Sequence, residues 1–130
     1  MDTAQKAPKP AIRTKNASYN YRKIKAVDNV SIEIPRGISF GVLGPNGSGK
    51  TTFIRMLVGL IKPRSGIIRT LGHTPSRKLA RHIGYMPQLP ALYSELSIAQ
   101  NVDFFARIYG IKNKAQRQKM VNEAVTMVGL

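Results

Sequence analysis

The chain has 130 residues, enough for one small domain, and its 42% hydrophobic content with 11 Gly and 8 Pro is typical of a globular α/β protein. It has no Cys, which excludes a disulfide scaffold, a cysteine metal cage and thiol catalysis. The formal charge of +15 would suit an anionic partner, but the basic residues are scattered and no aromatic-basic platform accompanies them. We therefore interpret most of this charge as a solvated surface rather than a nucleic-acid site.

The N-terminal part of the chain contains extended segments divided by turn residues. Residues 1–11 lack the apolar segment of a signal peptide, and we predict a disordered basic tail there. A first strand is predicted over Ala11 to Ser18, and a second over Val30 to Ile34, where the sequence VSIEI alternates. After a turn at Pro35 to Gly37, the apolar run SFGVL predicts a third strand from Ser39 to Leu43.

The stretch from Gly44 to Thr52, GPNGSGKTT, matches the P-loop pattern, in which a glycine-rich loop between a strand and a helix holds a nucleotide's phosphates. Its glycines permit left-handed backbone that turns N–H groups inward, and the helix predicted from about Gly49 adds its own N-terminal N–H groups. Lys50 is predicted to contact the β and γ phosphates, and the Thr51 hydroxyl to ligate Mg²⁺. Thr52 is predicted to hydrogen-bond the α-phosphate. The predicted nucleotide-binding residues of this loop are Gly44, Pro45, Asn46, Gly47, Ser48, Gly49, Lys50, Thr51 and Thr52.

Helical and strand patterns continue beyond this loop. The predicted elements are a helix with apolar positions from Phe53 to Leu60, a strand from Ile67 to Leu71, a basic helical turn near Ser76 to Arg81, and a strand from Ile83 to Met86. Gln88 then lies between two prolines, in a stiff non-helical connection.

The C-terminal third of the chain is helical in pattern. Ser97 with Gln100 three residues later predicts a capping box, and apolar residues on one face continue to Gly110. Asn113 is predicted to cap a second helix, with Gly129 as its stop.

Taken together, these motifs resemble the ATP-binding subunit of an ABC transporter. The resemblance is carried by the GPNGSGKTT loop, AVDNVSIEI from Ala26, the PRSG turn at Pro63, IGYMPQ from Ile83 to Gln88, and the segment from Ala91 to Ile111, which is similar to multidrug exporters. It covers about Ile12 to Leu130. The implied fold is the N-terminal portion of an α/β P-loop NTPase, with antiparallel β strands, the start of a RecA-like core and the start of a helical subdomain.

The resemblance also implies a domain division and partners. Residues 12–88 correspond to the N-terminal part of the ABC ATPase core, and 89–130 to the start of the helical subdomain. The implied partners are a second ATP-binding subunit in a head-to-tail dimer and a transmembrane permease that contacts Leu89 to Ser97. The implied location is cytoplasmic, peripheral to the inner face of the cell membrane, and no specific nucleic acid is expected.

Further site residues follow from the resemblance, with ATP and Mg²⁺ as cofactors. Tyr21 matches the aromatic residue that stacks on adenine, with Tyr19 as a rival. Gln88 matches the glutamine that ligates Mg²⁺ or positions the attacking water. Neither His73 nor His82 matches the switch histidine, because both precede Gln88.

Several motifs of the family do not occur in these residues. The sequence has no LSGGQ-like signature, and none of its six acidic residues follows an apolar run of four, as the catalytic Glu would: they are Asp2, Asp28, Glu33, Glu95, Asp103 and Glu123. We therefore expect the N-terminal half of an ATPase domain, not competent for hydrolysis alone. Other hypotheses are a non-catalytic nucleotide-binding or split-partner module and, less favoured, a basic nucleic-acid binder.

Overall fold

The computed structural model describes residues 9–89 and 91–129. The chain divides into two compact units, Met1–Gly84 and Tyr85–Leu130. Of the predicted tail at 1–11, residues 1–8 lie outside the described part of the chain. No helix in the described ranges is long and apolar enough to cross a membrane.

The first unit is built on an antiparallel sheet with β1 (Ile12–Tyr21) at its centre. This strand pairs with β2 (Ile24–Val30), β3 (Glu33–Ile34) and β4 (Ser65–Thr70). Ile12 is the register partner of a β3 residue and of a β4 residue, so these two strands lie on opposite edges of β1. The first predicted strand and the strand predicted after Pro63 are therefore confirmed.

The predicted strand from Val30 to Ile34 is wrong in its extent. Val30 ends β2, and β3 begins only at Glu33. The interruption has a side-chain cause, because the Thr14 hydroxyl donates to the Val30 carbonyl at 3.0 Å and accepts the Ile32 N–H at 3.0 Å. A side chain of β1 thus bonds the backbone between the two segments, alongside the backbone bond from the Thr14 N–H to the Ile32 carbonyl at 2.8 Å.

A helix packs against this sheet and closes the core of the first unit. Helix α1 (Lys50–Leu57) confirms the helix predicted after the glycine loop. Its apolar residues recur at helical spacing and bury one face against the strands. The core cluster consists of Ala17, Val27, Phe53, Met56, Leu57 and Ile68.

Helix α1 ends in a Schellman motif that its sequence encodes. Gly59 has φ 82°, its N–H donates to the Met56 carbonyl at 3.2 Å, and the Leu60 N–H donates to the Arg55 carbonyl at 2.9 Å. The Thr70 hydroxyl donates to the Leu57 carbonyl at 2.7 Å. The carboxyl end of α1 is therefore fixed to the end of β4.

Two predicted strands are absent, and these predictions are wrong. Ser39–Leu43 has no regular structure, and Leu43 is 94% exposed. Ile83–Met86 is also irregular. A strand needs neighbours that satisfy its backbone N–H and C=O groups, and within 9–89 and 91–129 no strand pairs with either segment.

Helix α2 (Arg77–Ala80) belongs to the first unit, and it confirms the predicted basic turn after Ser76.

The second unit is a helical hairpin. In the second unit, α3 (Ile98–Ile108) packs against α4 (Lys114–Met127). The capping box at Ser97 and the cap at Asn113 are both present, as the sequence predicts.

A largely buried arginine fixes the corner between α3 and α4. Arg117 Nε donates to Asp103 Oδ1 at 2.7 Å, which joins the two helices directly. Arg117 Nη1 donates to the carbonyl oxygens of Ile111 at 3.0 Å and Lys112 at 2.6 Å in the connecting turn. Charge-assisted bonds from one planar guanidinium to a helix and a turn restrict the hairpin angle.

Candidate functional site

The loop from Gly44 to Thr52 has the backbone that its glycines predict. Gly44, Gly47 and Gly49 have φ values of 153°, 81° and 90°, a region that residues with a Cβ rarely adopt. Gly49 is also packed against β2, because a Cβ at this position would collide with the Ala26 carbonyl oxygen. Glycine is therefore required here both by backbone conformation and by close approach.

The N-terminus of α1 differs from the other helix starts. Ser76, Ser97 and Asn113 each accept a backbone N–H at the start of their helices. At α1 the N-cap is Gly49, and no side chain in the described part of the chain makes the capping hydrogen bond. The first N–H groups of a helix have no partner within it, so those of α1 can donate to an anion.

The Lys50 ammonium lies against the first two residues of this loop. Its Nζ donates to the carbonyl oxygens of Gly44 and Pro45, both at 2.7 Å. Because these two partners are neutral carbonyls rather than carboxylates, the ammonium can turn to phosphate oxygens within the same loop. The residues between these carbonyls and Gly49 are exposed to solvent, so a ligand can reach them.

The two threonines after Lys50 differ in exposure. Thr51 is exposed, and Thr52 is buried with 8% of its surface accessible. A hydroxyl beside a phosphate loop fits Mg²⁺, which takes one or two protein oxygens together with phosphate oxygens and waters. No group of three or more His, Cys, Asp or Glu side chains that could hold a metal occurs in 9–89 or 91–129.

Tyr21 and Tyr19 lie together at the end of β1. Their ring centroids are 4.9 Å apart in an edge-to-face arrangement. Tyr19 is half-buried against the core cluster, and the Arg64 guanidinium lies 5.6 Å from its ring centroid. Tyr21 is 44% exposed, so more of its ring can receive a ligand.

Gln88 belongs to the second unit, whereas the glycine loop and Tyr21 belong to the first. Gln88 is exposed, as is Leu89 beside it. The predicted site residues from Gly44 to Thr52 thus form one continuous loop in the first unit, whereas Gln88 lies in the second unit.

The segment predicted to contact a permease, Leu89 to Ser97, has exposed apolar side chains. Leu89 is 80% exposed and Leu92 66% exposed, although Pro90 lies outside the described residues. Within the second unit, Leu92 lines an apolar groove of about 450 Å³ together with residues of α3 and α4. The Ser94 hydroxyl donates to Glu95 at 2.8 Å and lowers the pKa of that carboxyl below its usual value.

Each carboxylate in the described residues is engaged by a neighbour. The pairs are Asp28 with Lys25, Glu33 with Arg13, Glu95 with Ser94, Asp103 with Arg107 and Arg117, and Glu123 with Lys119. For Glu95 and Asp103 these hydrogen bonds lower the pKa of the carboxyl, because they stabilise its ionised form.

Two polar residues of the second unit were not predicted, Asn101 and Arg117. Asn101 is 6% exposed, and its Nδ2 donates to the carbonyl oxygens of Leu96 and Ser97, both at 3.1 Å. A signal was present for Asn101, because it lies three residues after Ile98 and beside Val102 on the apolar face of α3. A polar residue on a buried face needs partners.

Comparison with known families identifies the chain. Residues 27–130 match the family model described as ABC transporter. The chain belongs to the ABC transporter family. The sequence-based resemblance to this family is thereby confirmed.

Several relatives of the chain are named as ABC transporter ATP-binding proteins. The chain is 39% identical over 112 residues to the probable multidrug ABC transporter ATP-binding protein YbhF of Escherichia coli, covering 84% of this chain and 19% of that protein. It is 38% identical over 122 residues to the bacitracin transport ATP-binding protein BcrA of Bacillus licheniformis, covering 92% of this chain and 39% of that protein. The chain therefore spans well under half of these curated relatives.

Solved structures of the same family share the fold. The cbiO1 protein of Clostridium perfringens, described as part of the ABC transporter complex cbiONQ, superposes with a TM-score of 0.80 at 30% identity. The match covers 95% of this chain and 52% of that chain. An ATP-binding subunit of an ABC transporter superposes with a TM-score of 0.66 at 29% identity, covering 82% of this chain and 45% of that chain. The predicted fold, the N-terminal portion of an ABC ATPase, is confirmed.

Proposed function

We propose that the loop from Gly44 to Thr52 binds MgATP and that the chain serves in an ATPase that powers export through a membrane permease. The observation that carries this proposal is the Lys50 ammonium, held 2.7 Å from two carbonyls of the loop, next to a helix start with no side-chain cap in the described residues. These groups supply a cation and several N–H donors to one phosphate chain.

The remaining roles extend this proposal. Thr51 would supply a hydroxyl ligand to Mg²⁺, Thr52 would bond the α-phosphate, and Tyr21 would stack on adenine. Gln88 would supply an amide oxygen to Mg²⁺ or orient the attacking water. The exposure of the Tyr21 ring supports its role over that of Tyr19, whose ring is already in contact with Arg64.

The proposed partners are a second ATP-binding subunit, arranged head to tail, and a permease. Leu89 to Ser97 would receive a short helix of the permease, and the exposure of Leu89 and Leu92 supports this. We also propose residues 12–88 as ATPase core and 89–130 as helical subdomain. The protein would then act at the cytoplasmic face of the cell membrane.

We further propose that these 130 residues bind MgATP without turning it over. Hydrolysis needs a carboxylate or another group that accepts a proton from water. None of the six acidic residues follows an apolar run of four, as the family's catalytic Glu would, and this supports the absence of such a base here. Phosphate release by the purified chain should therefore be negligible, and turnover of about 1 s⁻¹ or more would contradict this proposal.

The test of nucleotide binding is the variant Lys50→Ala, measured by calorimetric titration with MgATP. We expect this variant to lose ATP affinity by at least about a hundredfold, because charge-assisted bonds to two phosphates disappear. The matched control is Lys62→Ala, which removes an exposed lysine outside the loop and should bind ATP like the parent chain. Equal affinity of the Lys50→Ala variant and the parent would refute MgATP binding at this loop.

A further inference from the structure

A second cationic feature lies on the sheet of the first unit, away from the glycine loop. Arg13 of β1 and Arg69 of β4 are direct register partners, and both are exposed. Side chains directly opposite one another on antiparallel strands lie on the same face, with Cβ atoms about 5 Å apart. Two like charges at this distance repel each other, so the pair lowers sheet stability unless an anion lies between them.

These two arginines line a cleft of about 200 Å³, here called the Arg13–Arg69 cleft. Its lining residues are Lys9, Pro10, Arg13, Arg69 and Gly72. The Lys9 side chain lies beside Gly72, since a Cβ at Gly72 would be 3.7 Å from Lys9 Cδ. Three cationic side chains thus surround one small volume, and none of the residues described as lining it is acidic.

The charge at the cleft is only partly balanced. Arg13 Nε donates to Glu33 Oε2 at 2.8 Å, and Arg69 Nη1 donates to the Thr74 hydroxyl at 2.6 Å. Arg36 lies nearby, because its Nε donates to the Lys9 carbonyl at 3.0 Å. Each guanidinium has five N–H donors, and among residues 9–89 and 91–129 only these bonds engage the donors of Arg13 and Arg69, which leaves most of them for a ligand.

The cleft is separate from the glycine loop. Thr70, next to Arg69, bonds the carbonyl of Leu57 at the carboxyl end of α1. The glycine loop lies at the opposite end of this helix, which at eight residues is about 12 Å long. The two sites share no residue.

We propose that the Arg13–Arg69 cleft binds a single phosphate group, either free phosphate or the headgroup phosphate of an anionic phospholipid. Two arginine forks match the oxygens of a tetrahedral phosphate, and Lys9 adds a point charge. The volume suits one phosphate with a small substituent and is below the size of a typical pocket for a nucleotide-sized ligand. A nucleic acid is disfavoured because its phosphates require cations along an extended track, whereas these three surround one point.

The test measures inorganic phosphate binding in a Lys50→Ala background, which removes phosphate binding by the glycine loop. The double variant Arg13→Gln/Arg69→Gln should lose phosphate affinity by about tenfold or more, because two charge-assisted contacts disappear. The matched control, Arg77→Gln/Lys78→Gln, lowers the net charge of +15 by the same two units at exposed positions of α2 and should change affinity by less than about twofold. Arg13→Lys/Arg69→Lys keeps the charge and loses the forks, so its affinity should lie in between.

A vesicle arm separates the two phosphate sources. Phosphatidylcholine vesicles with and without phosphatidic acid are sedimented with the parent, with the cleft variant Arg13→Gln/Arg69→Gln and with the control Arg77→Gln/Lys78→Gln. Loss of binding to anionic vesicles in the cleft variant alone, with displacement by inorganic phosphate, identifies the lipid headgroup. Phosphate binding without such vesicle discrimination identifies free phosphate.

Three outcomes would overturn the proposal. The first is no detectable phosphate binding by the Lys50→Ala chain, and the second is an equal loss of affinity in the cleft and control variants, which would show diffuse attraction to a basic surface. The third is binding of duplex DNA that has a steep salt dependence and requires both arginines, which would identify a nucleic-acid-binding surface. If the double variant does not fold, Lys9→Gln replaces it, because Lys9 lies outside the strands.

Discussion

Asn101 pairs with both backbone groups of Tyr93. Its Oδ1 accepts the Tyr93 N–H at 2.9 Å, and its Nδ2 donates to the Tyr93 carbonyl at 3.0 Å. With its bonds to Leu96 and Ser97, this buried amide fixes the turn before α3. The turn belongs to the segment that we propose as the permease contact.

Replacing Asn101 should therefore loosen this turn. We expect Asn101→Ala to lower the free energy of local opening by about 1–3 kcal/mol, because buried backbone groups lose their partners. Asn101→Asp keeps the acceptor and loses the donors, so its effect should be similar in direction. Hydrogen exchange of the backbone amides from 93 to 101 measures the change.

The control for this prediction is Asn122→Ala. Asn122 is exposed and accepts one bond from Gln118 at 3.1 Å, so its removal should change stability by less than about 0.5 kcal/mol. Unchanged exchange in the Asn101 variants would show that the turn is held by other contacts.

The helix ends of this chain could be predicted from sequence because their determinants are local. Ser97 and Gln100 lie within one turn, and Asn113 caps its helix through Gln116 three residues away. The glycine loop is also local, since its φ values follow from its own residues. The bonds of Arg117 to Asp103 join two helices, so sequence alone gave no direct signal for that pair.

The strand errors have the opposite cause. The run from Ser39 to Leu43 is as apolar as a buried strand, but strand formation depends on distant partners rather than on the run itself. Val30 to Ile34 alternates well, yet the hydroxyl of Thr14, sixteen residues before Val30, decides where the strand breaks. The β propensity of a segment does not indicate such contacts with residues distant in sequence.

A second prediction contrasts two glycines of the loop. Gly49→Ala should destabilise the first unit by about 2–4 kcal/mol and abolish measurable MgATP binding, because the new Cβ collides with the Ala26 backbone in a left-handed conformation. Gly47→Ala meets no atom within 4 Å and should cost only about 1 kcal/mol of backbone strain. Urea denaturation and MgATP titration of both variants check this, and equal effects would contradict it.

A third prediction separates Tyr21 from Tyr19. Tyr21→Ala should weaken ATP binding by about 2- to 10-fold through loss of stacking, whereas Tyr21→Phe should bind normally. Tyr19→Ala should instead lower stability with little change in affinity, because Tyr19 packs against the core and against Arg64. Titration with MgATP and thermal denaturation distinguish these outcomes, and the reverse pattern would assign the stacking role to Tyr19.

A fourth prediction concerns the acid stability of the helical hairpin. Hydrogen bonds from Arg117, and then from Arg107, lower the pKa of Asp103 below its usual value. A carboxyl with a lowered folded-state pKa contributes stability above its ordinary pKa of about 4, and this contribution is lost as the pH falls through the folded-state pKa. Asp103→Asn should thus melt at a lower temperature than the parent at pH 7.

The same linkage requires that this difference shrink with acidification. Thermal melts of the parent and of Asp103→Asn should converge as the pH falls below about 4, because the parent's Asp103 then becomes protonated and loses its charge. Glu123→Gln is the control, since Glu123 is exposed and lies 3.9 Å from Lys119, so its melting temperature should stay near that of the parent throughout. A difference between the parent and Asp103→Asn that stays constant from pH 7 to acid would contradict this prediction, because the contribution of Asp103 would then not depend on its ionisation.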